Sequence, residues 1–170
     1  MPEHSIRFAV LTVSDTRTIE TDTSGGLLCE RIQSAGHILS DRQLIQDDAE
    51  QIRTLLKGWC ANRDIDAILT TGGTGLTGRD QTADVVQSLY AKEIPGFGEL
   101  FRFLSYQEIG TSAIQSRASG GLSADATLLF ALPGSTGACR LGWDEILVKQ
   151  FDINHRPCNF AQLMPRFREK

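Results

Sequence analysis

The chain has 170 residues, of which 41% are hydrophobic and 22% are charged. These values are typical of a globular protein with an apolar core, and the length is short for two domains, so we expect one domain over residues 1–170. With a formal net charge of −4 and a pI of about 5.4, the sequence offers no basic surface for nucleic acid or for an anionic membrane.

The cysteines Cys29, Cys60, Cys139 and Cys158 are widely separated, without the close pairs that a zinc site uses. A disulfide scaffold is not expected at this length and cysteine density, and the scattered histidines do not indicate a metal site. The sequence shows neither an apolar stretch long enough to span a bilayer nor an N-terminal signal pattern. We therefore expect a cytoplasmic protein with reduced cysteines and no membrane partner.

Segments with the composition of strands recur along the chain, at residues 6–13, 37–45, 65–69 and 127–132. All except the second are almost continuously apolar. Strands that are apolar on both faces are typical of parallel sheets, in which helices cover both sides.

Between these segments, apolar residues recur at helical spacing and form one stripe each. The stripes are Leu27, Leu28 and Ile32; Ile52, Leu55, Leu56 and Trp59; and Val85, Val86 and Leu89. Strands that alternate with helices indicate βαβ units. The sequence thus predicts a three-layer α/β domain with a mostly parallel central sheet.

Small, polar or acidic residues follow each predicted strand: Ser14-Asp15, Asp47-Asp48, Thr70-Thr71-Gly72-Gly73-Thr74-Gly75 and Pro133-Gly134-Ser135. The carboxyl ends of parallel strands meet at one edge of a sheet, and ligands bind in the crevice there. We therefore expect these four loops to converge on a common binding site.

The glycine-rich loop is suited to bind an anion, because glycines let backbone amides converge and a helix start follows. Gly73, Gly75 and Gly78 match a dinucleotide-binding spacing, but that motif belongs after a first strand, with an acidic residue at the end of the next. Glu93, about twenty residues on, is followed by Ile-Pro-Gly and does not read as a strand end. Gly73 and Gly78 also match a P-loop, but Arg79-Asp80 occupies the Lys-Ser/Thr positions. Neither motif is fulfilled.

Asp80 beside a polyphosphate would be repelled unless a cation lay between them, and Mg²⁺ favours one or two carboxylates together with substrate phosphates. Asp47 or Asp48 could supply a second carboxylate. Helix capping is the alternative: Asp80 could cap a helix that begins near Gln81, and Asp47 with Glu50 fits a capping box. The residues alone leave both alternatives open.

The order of the motifs resembles the MoaB/Mog family of molybdenum-cofactor biosynthesis proteins, and most closely its MoaB branch. The matching segments are Val13-Ser14-Asp15-Thr16, Asp22-Thr-Ser-Gly25, Thr70–Gly75 with Arg79-Asp80-x-Thr82, Pro95-Gly96-Phe97, Ser116-Arg117-Ala118 and Leu132-Pro133-Gly134. The resemblance implies the MoaB/Mog fold over nearly the whole chain.

The resemblance also implies an activity, the adenylylation of molybdopterin by Mg-ATP. It assigns catalytic and Mg²⁺-binding roles to Asp47 and Asp80, and product handling to Ser116. Substrate-binding residues would be Ser14, Asp15, Thr71, Gly72, Gly73, Thr74, Gly75, Pro133, Gly134 and Ser135.

Two short segments differ from the adenylylating branch of the family. Ser135-Thr136 replaces Asn-Pro, and Ala83-Asp84 follows Thr82 in place of Pro-Glu. A non-catalytic or redundant protein that binds molybdopterin or a nucleotide in the same pathway is therefore the alternative. Other proteins of the pathway are expected partners in either case.

A further apolar segment lies at residues 95–106, where Phe97, Leu100, Phe101, Phe103, Leu104 and Tyr106 cover more than one face of a predicted helix. Such a helix is buried either in the core of one chain or at a subunit interface. Because the resembling family forms trimers and hexamers, we expect a homotrimer or a homohexamer.

Overall fold

A computed structural model describes residues 5–169 of the protein. Its centre is a sheet of six strands in the order β2-β1-β3-β6-β5-β4. Strands β2, β1, β3 and β6 run parallel, whereas β5 and β4 are antiparallel to their neighbours. The strands are β1 (Arg7–Val13), β2 (Ile38–Ile45), β3 (Ala67–Thr71), β4 (Tyr90–Glu93), β5 (Ser119–Ser123) and β6 (Leu128–Leu132). The predicted mostly parallel sheet is confirmed.

Helices connect the strands on both faces of the sheet. They are α1 (Thr23–Ser34), α2 (Ala49–Ala61), α3 (Thr82–Ser88), α4 (Pro95–Ile109), α5 (Thr136–Leu141), α6 (Val148–Gln150) and α7 (Phe160–Leu163), with 3₁₀ turns at Gly110–Gln115 and Met164–Arg166 and a π-helical turn at Gly142–Leu147. Each helix within residues 5–169 is too short or too polar to cross a membrane.

Strand β1 shows why the sheet is covered on both sides. Successive side chains of a strand point to opposite faces. Phe8 and Val10 join one apolar cluster, which contains Leu28 of α1 and Phe101 of α4. Ala9, Leu11 and Val13 join the other, which contains Ile52 and Leu56 of α2 and Val85 and Val86 of α3. The two clusters are the two interfaces of a three-layer α/β fold.

The buried carboxylate of Asp22 fixes the connection from β1 to α1. It caps α1 by accepting the Gly25 amide at 2.9 Å, and it accepts the Thr12 hydroxyl at 2.6 Å and the Arg42 guanidinium at 3.1 Å. A Cβ at Gly25 would lie 2.2 Å from both the Asp22 carboxylate and the Thr12 hydroxyl. The Asp22–Gly25 motif is therefore explained by packing at this end of α1.

Strands β4 and β5 were not expected from the sequence. Strand β5 reads Ser-Gly-Gly-Leu-Ser, and β4 is a short polar segment at the sheet edge. The inference that Glu93 does not end a strand was wrong, because Glu93 is the last residue of β4. The dinucleotide motif remains unfulfilled, since β5 and β6 separate β4 from β3 in the sheet.

Candidate functional site

The carboxyl ends of the four parallel strands bring the predicted loops together. The Ser14 amide, after β1, donates to the Ile45 carbonyl at 3.0 Å, and the Gly72 amide, after β3, donates to the Leu132 carbonyl at 3.2 Å. The Asp47 amide, after β2, donates to Oδ1 of Asp15 at 3.2 Å. The expected convergence of the loops at this edge is confirmed.

The glycine loop has a backbone conformation that only glycine adopts without strain. Gly72 and Gly73 have φ angles of +94° and +63°. A Cβ at Gly72 would lie 2.1 Å from the Val13 carbonyl oxygen, and one at Gly134 would lie 3.2 Å from the α-carbon of Gly72. The loop therefore packs by its backbone against the loops that follow β1 and β6.

Asp80 stabilises the turn that follows the glycine loop. Its Oδ2 accepts the Thr77 hydroxyl at 2.6 Å and the Thr77 amide at 2.9 Å. Helix α3 has no side-chain cap, so the alternative in which Asp80 caps this helix is wrong. The bond from the Thr77 hydroxyl is the main reason why the pKa of Asp80 is lowered, and it keeps this carboxyl ionised.

Asp47 links the end of β2 to the start of α3, since its Oδ1 accepts the Gln81 amide at 3.1 Å. The capping box predicted for Asp47 and Glu50 is wrong, because Asp48 caps α2 by accepting the Gln51 amide at 2.9 Å. Burial raises the pKa of Asp47, and the nearby negative charges of Asp80 and Asp15 raise it further. Negative charge is thus concentrated beside the glycine loop.

Ser14 and Asp15 hold the surrounding loops in place. Oγ of Ser14 accepts the amides of Thr16 and Arg17 at 3.3 and 3.1 Å. Oδ2 of Asp15 accepts the guanidinium of Arg79 at 2.6 Å, which joins the loop after β1 to the glycine loop. Arg79 remains largely exposed, with 73% of its side chain accessible.

A cleft of about 400 Å³ lies beside the glycine loop and contains most of the predicted site. The predicted residues that line it are Gly72, Gly73, Thr74, Gly75, Asp80, Ser116, Pro133, Gly134 and Ser135. The other four predicted residues, Ser14, Asp15, Asp47 and Thr71, lie outside its lining. Thr71 is buried and donates its hydroxyl to the Pro133 carbonyl at 3.0 Å, so its side chain joins two loops.

One part of the cleft lining was not predicted. It consists of Phe101, Ser105 and Ile109 of α4, Ser112 and Gln115 of the 3₁₀ turn, and Ala138 of α5. Of these residues only Phe101 belongs to a predicted pattern, the apolar segment at residues 95–106, and no local pattern places that helix beside the glycine loop. These residues add apolar groups and a few hydroxyl and amide groups to the cleft that the polar glycine loop also lines.

The contacts of Arg117 were not predicted from the sequence either. It donates to the carbonyls of Thr74 and Asp80 at 3.3 and 3.1 Å and forms an ion pair with Asp84 at 3.0 Å. The half-buried guanidinium therefore joins the Thr74 carbonyl of the glycine loop and the Asp80 carbonyl that follows this loop to Asp84 of α3. Because the planar donor set of arginine is rigid, these contacts fix the width of the loop.

A magnesium ion is compatible with the acidic residues of this site. Within residues 5–169 no group of three or more His, Cys, Asp or Glu residues could hold a metal ion. Magnesium often uses only one or two carboxylates and takes its remaining ligands from phosphates and water. Burial is the main reason why the pKa of Asp47 is raised, and the negative charge of Asp80 adds to it. A cation between the carboxylates and phosphates would relieve this repulsion between Asp47 and Asp80.

Comparisons with known proteins agree with this architecture. Residues 9–152 match the family model described as "Probable molybdopterin binding domain". Molybdenum cofactor biosynthesis protein B of Escherichia coli strain K12 is 48% identical over 154 residues, which cover 91% of this chain and 90% of that protein.

Solved structures give the same result. A crystal structure of a molybdenum cofactor biosynthesis protein B superposes with a TM-score of 0.87 at 40% identity, over 98% of each chain. The tungsten cofactor synthesizing protein MoaB from Pyrococcus furiosus superposes with a TM-score of 0.75 at 33% identity, over 86% of this chain and 92% of that one. The chain therefore belongs to the molybdopterin-binding domain family that contains the MoaB proteins.

Proposed function

We propose that this protein acts in molybdenum cofactor biosynthesis and that its cleft binds molybdopterin together with Mg-ATP. One observation carries the proposal: the glycine loop, Asp80, Ser116 and Pro133–Ser135 all line the same cleft. A backbone cradle for phosphate next to a partly apolar wall suits a ligand that has both a ring system and a phosphate.

The proposed reaction is adenylyl transfer to molybdopterin. An oxygen of the terminal phosphate of molybdopterin attacks the α-phosphorus of ATP and forms a new P–O bond. The bond from the α-phosphorus to the bridging oxygen breaks, and pyrophosphate leaves with its electron pair. Catalysis of such a transfer consists mainly of positioning and charge neutralisation.

The chain's own residues have separate tasks in this proposal. Backbone amides of Gly73, Thr74 and Gly75 hold phosphate oxygens, and Ser116 contacts the bound product from the opposite side. Asp47 and Asp80 would hold Mg²⁺, which supplies positive charge to the phosphates when bound. Asp15 and Arg117 position the glycine loop. Asp15 does so through its ion pair with Arg79, and Arg117 through its hydrogen bond to the Thr74 carbonyl.

The positions that differ from the adenylylating branch make defined contacts here. Asp84 forms the ion pair with Arg117 and thereby supports the glycine loop. The Thr136 hydroxyl lies 2.8 Å from the Thr23 hydroxyl and joins the start of α5 to α1. Both residues support loops around the cleft, and this is compatible with retained activity.

A second candidate function is binding of molybdopterin or a nucleotide without turnover. The observation that favours it is the engagement of both acidic residues by the protein itself: Asp80 accepts two bonds from Thr77, and Asp47 accepts the Gln81 amide. A cation at Oδ2 of Asp80 would compete with the two Thr77 contacts, whereas binding of the pterin alone would leave them intact.

Incubation with molybdopterin, Mg²⁺ and ATP labelled at the α-phosphate distinguishes the two functions. We expect labelled, adenylylated molybdopterin from the wild-type protein and a loss of at least about 100-fold in the Asp80→Asn variant. Asp125→Asn is the matched control, because this exposed aspartate precedes β6 at the opposite edge of the sheet. Binding of molybdopterin without labelled product would support the second candidate and contradict adenylyl transfer.

We also propose that the protein is a homotrimer or a homohexamer in the cytoplasm. Helix α4 buries Phe97 and Phe101 in the core but exposes Phe103, Tyr106 and Ile109 to 62%, 58% and 55%. Exposed apolar side chains in such proximity are typical of subunit interfaces. Other proteins of the cofactor pathway are proposed as further partners.

A further inference from the structure

The hydroxyl of Thr82 is an exception among the buried polar groups of the protein. Thr82 is the first residue of α3 and is fully buried. Within residues 5–169 its Oγ1 finds no hydrogen-bond partner, a condition shared only with the Nε atom of Arg42. Buried hydroxyls are nearly always bonded, so an unpartnered one requires an explanation.

The position of this hydroxyl links it to the glycine loop and the acidic residues. An ideal Cβ on Gly73 would lie 2.1 Å from Oγ1 of Thr82 and 2.7 Å from Oδ2 of Asp47. The two oxygens therefore border the same small space, beside the α-carbon of Gly73. The hydroxyl is aimed into the loop that borders the cleft.

The Asp47 carboxylate has one oxygen that remains available. Its Oδ1 accepts the Gln81 amide, whereas no hydrogen bond from the described residues reaches its Oδ2. The two adjacent oxygens, Oδ2 of Asp47 and Oγ1 of Thr82, are not bonded to each other. A carboxylate oxygen beside a neutral hydroxyl oxygen is a ligand pair that hard divalent cations accept.

We propose that Oγ1 of Thr82 and Oδ2 of Asp47 are neighbouring oxygen ligands of the divalent cation that accompanies ATP. The inference rests on the proposed function, because it assumes that the site binds a cation with a nucleotide. It adds to the acidic residues a neutral ligand from α3. It also explains why a polar side chain occupies a buried position without a partner in the free protein.

The absence of a side chain at Gly73 leaves room for this arrangement. Gly73 lines the cleft with a φ angle of +63°, and its missing Cβ would fill the space beside both oxygens. Any Cβ at this position would fill that space, so glycine leaves it open to a cation.

Thr82→Val and Thr82→Ser test the inference. Valine keeps the shape of threonine but has no oxygen, whereas serine keeps the oxygen. ATP binding is measured by calorimetry over a range of Mg²⁺ concentrations and in EDTA, and the thermal midpoint of each protein is measured without ligand. We expect Thr82→Val to need about tenfold more Mg²⁺ for the same occupancy, as for the loss of one good ligand contact.

The same variant should leave ATP binding in EDTA unchanged and the thermal midpoint equal or higher, since valine removes an unsatisfied polar group. Thr82→Ser should bind like the wild type. If Thr82→Val depends on Mg²⁺ in the same way as the wild type, the inference is overturned and the proposed function is not. A lower midpoint without ligand would also overturn the inference, because the hydroxyl would then be satisfied in the free protein. A wild-type protein that binds no ATP at any Mg²⁺ concentration would contradict the proposed function and this inference together.

Discussion

Oδ1 of Asp47 accepts the backbone amide of Gln81 at 3.1 Å, so the end of β2 is tied directly to the residue that precedes α3. This bond spans 34 positions of the sequence and fixes a carboxylate beside the glycine loop. It leaves the second oxygen of the carboxylate free to face the loop, next to Gly73. The proposed ligand chemistry depends on this placement.

The Asp47 carboxylate should make stability depend on pH in a particular direction. Because its folded-state pKa is raised, its stabilising contribution is present below the unfolded-state pKa and is lost as the pH rises through the folded-state pKa. Asp47→Asn keeps an oxygen for the Gln81 amide and removes the charge. Urea unfolding over an acidic pH series should therefore show a smaller loss of stability with rising pH in this variant.

Asp80→Asn is the opposite case and serves as the control. The pKa of Asp80 is lowered by the Thr77 hydroxyl, so its contribution is present above the unfolded-state pKa and is lost as the pH falls through the folded-state pKa. An unchanged pH profile in Asp47→Asn would show that this carboxylate is not destabilised in the folded protein.

Gly73→Ala should distort the glycine loop. A methyl group at this position meets the Thr82 hydroxyl at 2.1 Å, and the φ angle of +63° disfavours alanine. We expect a loss of roughly 1–3 kcal/mol in the free energy of unfolding and loss of ATP binding, measured by urea unfolding and calorimetry.

The matched control for this change is Gly78→Ala, three residues before Gln81, where no atom lies within 4 Å of the added methyl group. Its free energy of unfolding should stay within about 0.5 kcal/mol of the wild type. Equal ATP affinity in the two alanine variants would argue against binding at Gly73.

Arg117→Lys should weaken binding through the shape of the loop. Lysine keeps the charge for Asp84, but it cannot donate at the same time to the carbonyls of Thr74 and Asp80 as the guanidinium does. We expect a few-fold loss of molybdopterin affinity and about 0.5–1.5 kcal/mol in unfolding free energy for each bond lost. Arg63→Lys, at an exposed turn, should behave like the wild type; an equal effect of both changes would exclude a specific role for Arg117.

Phe103→Glu should dissociate the proposed oligomer. Phe103 is 62% exposed on α4, and a carboxylate there would be buried without a partner at a subunit interface. Sedimentation should give a trimer or hexamer for the wild type and a monomer for the variant at micromolar concentration. Lys57→Glu changes the charge of an exposed residue of α2 and should leave the sedimentation unchanged. A monomeric wild type would contradict the proposal.

The parallel half of the fold could be predicted, whereas the antiparallel edge could not. Strands such as β1 and β6 are buried on both faces, and their almost continuously apolar sequences indicate this burial. Strand β5 contains two adjacent glycines and becomes a strand through its pairing with Leu128–Ala131 of β6. Such pairing is decided by tertiary structure, which local sequence patterns do not encode.

The site shows the same division. Loop residues such as Gly73 and Asp80 follow strands, so their convergence could be inferred from parallel topology alone. Ser105 and Gln115 reach the cleft because α4 and the 3₁₀ turn pack beside it, and no sequence spacing indicates this. Asp47 was placed correctly after a strand end, but its partner Gln81, just before α3, lies too far along the chain to be recognised by a local capping pattern.

The location of the ligand site is the central claim, and amide chemical-shift mapping with Mg-ATP tests it most directly. We predict that the largest changes fall at residues 72–75, at Asp80 and Ser116, and at residues 134–135 around the cleft. A larger cavity of about 510 Å³, formed by residues 35–37, 148–149 and 151–155, is the competing position. Changes confined to His37, Phe151 and their neighbours in that cavity would contradict the account.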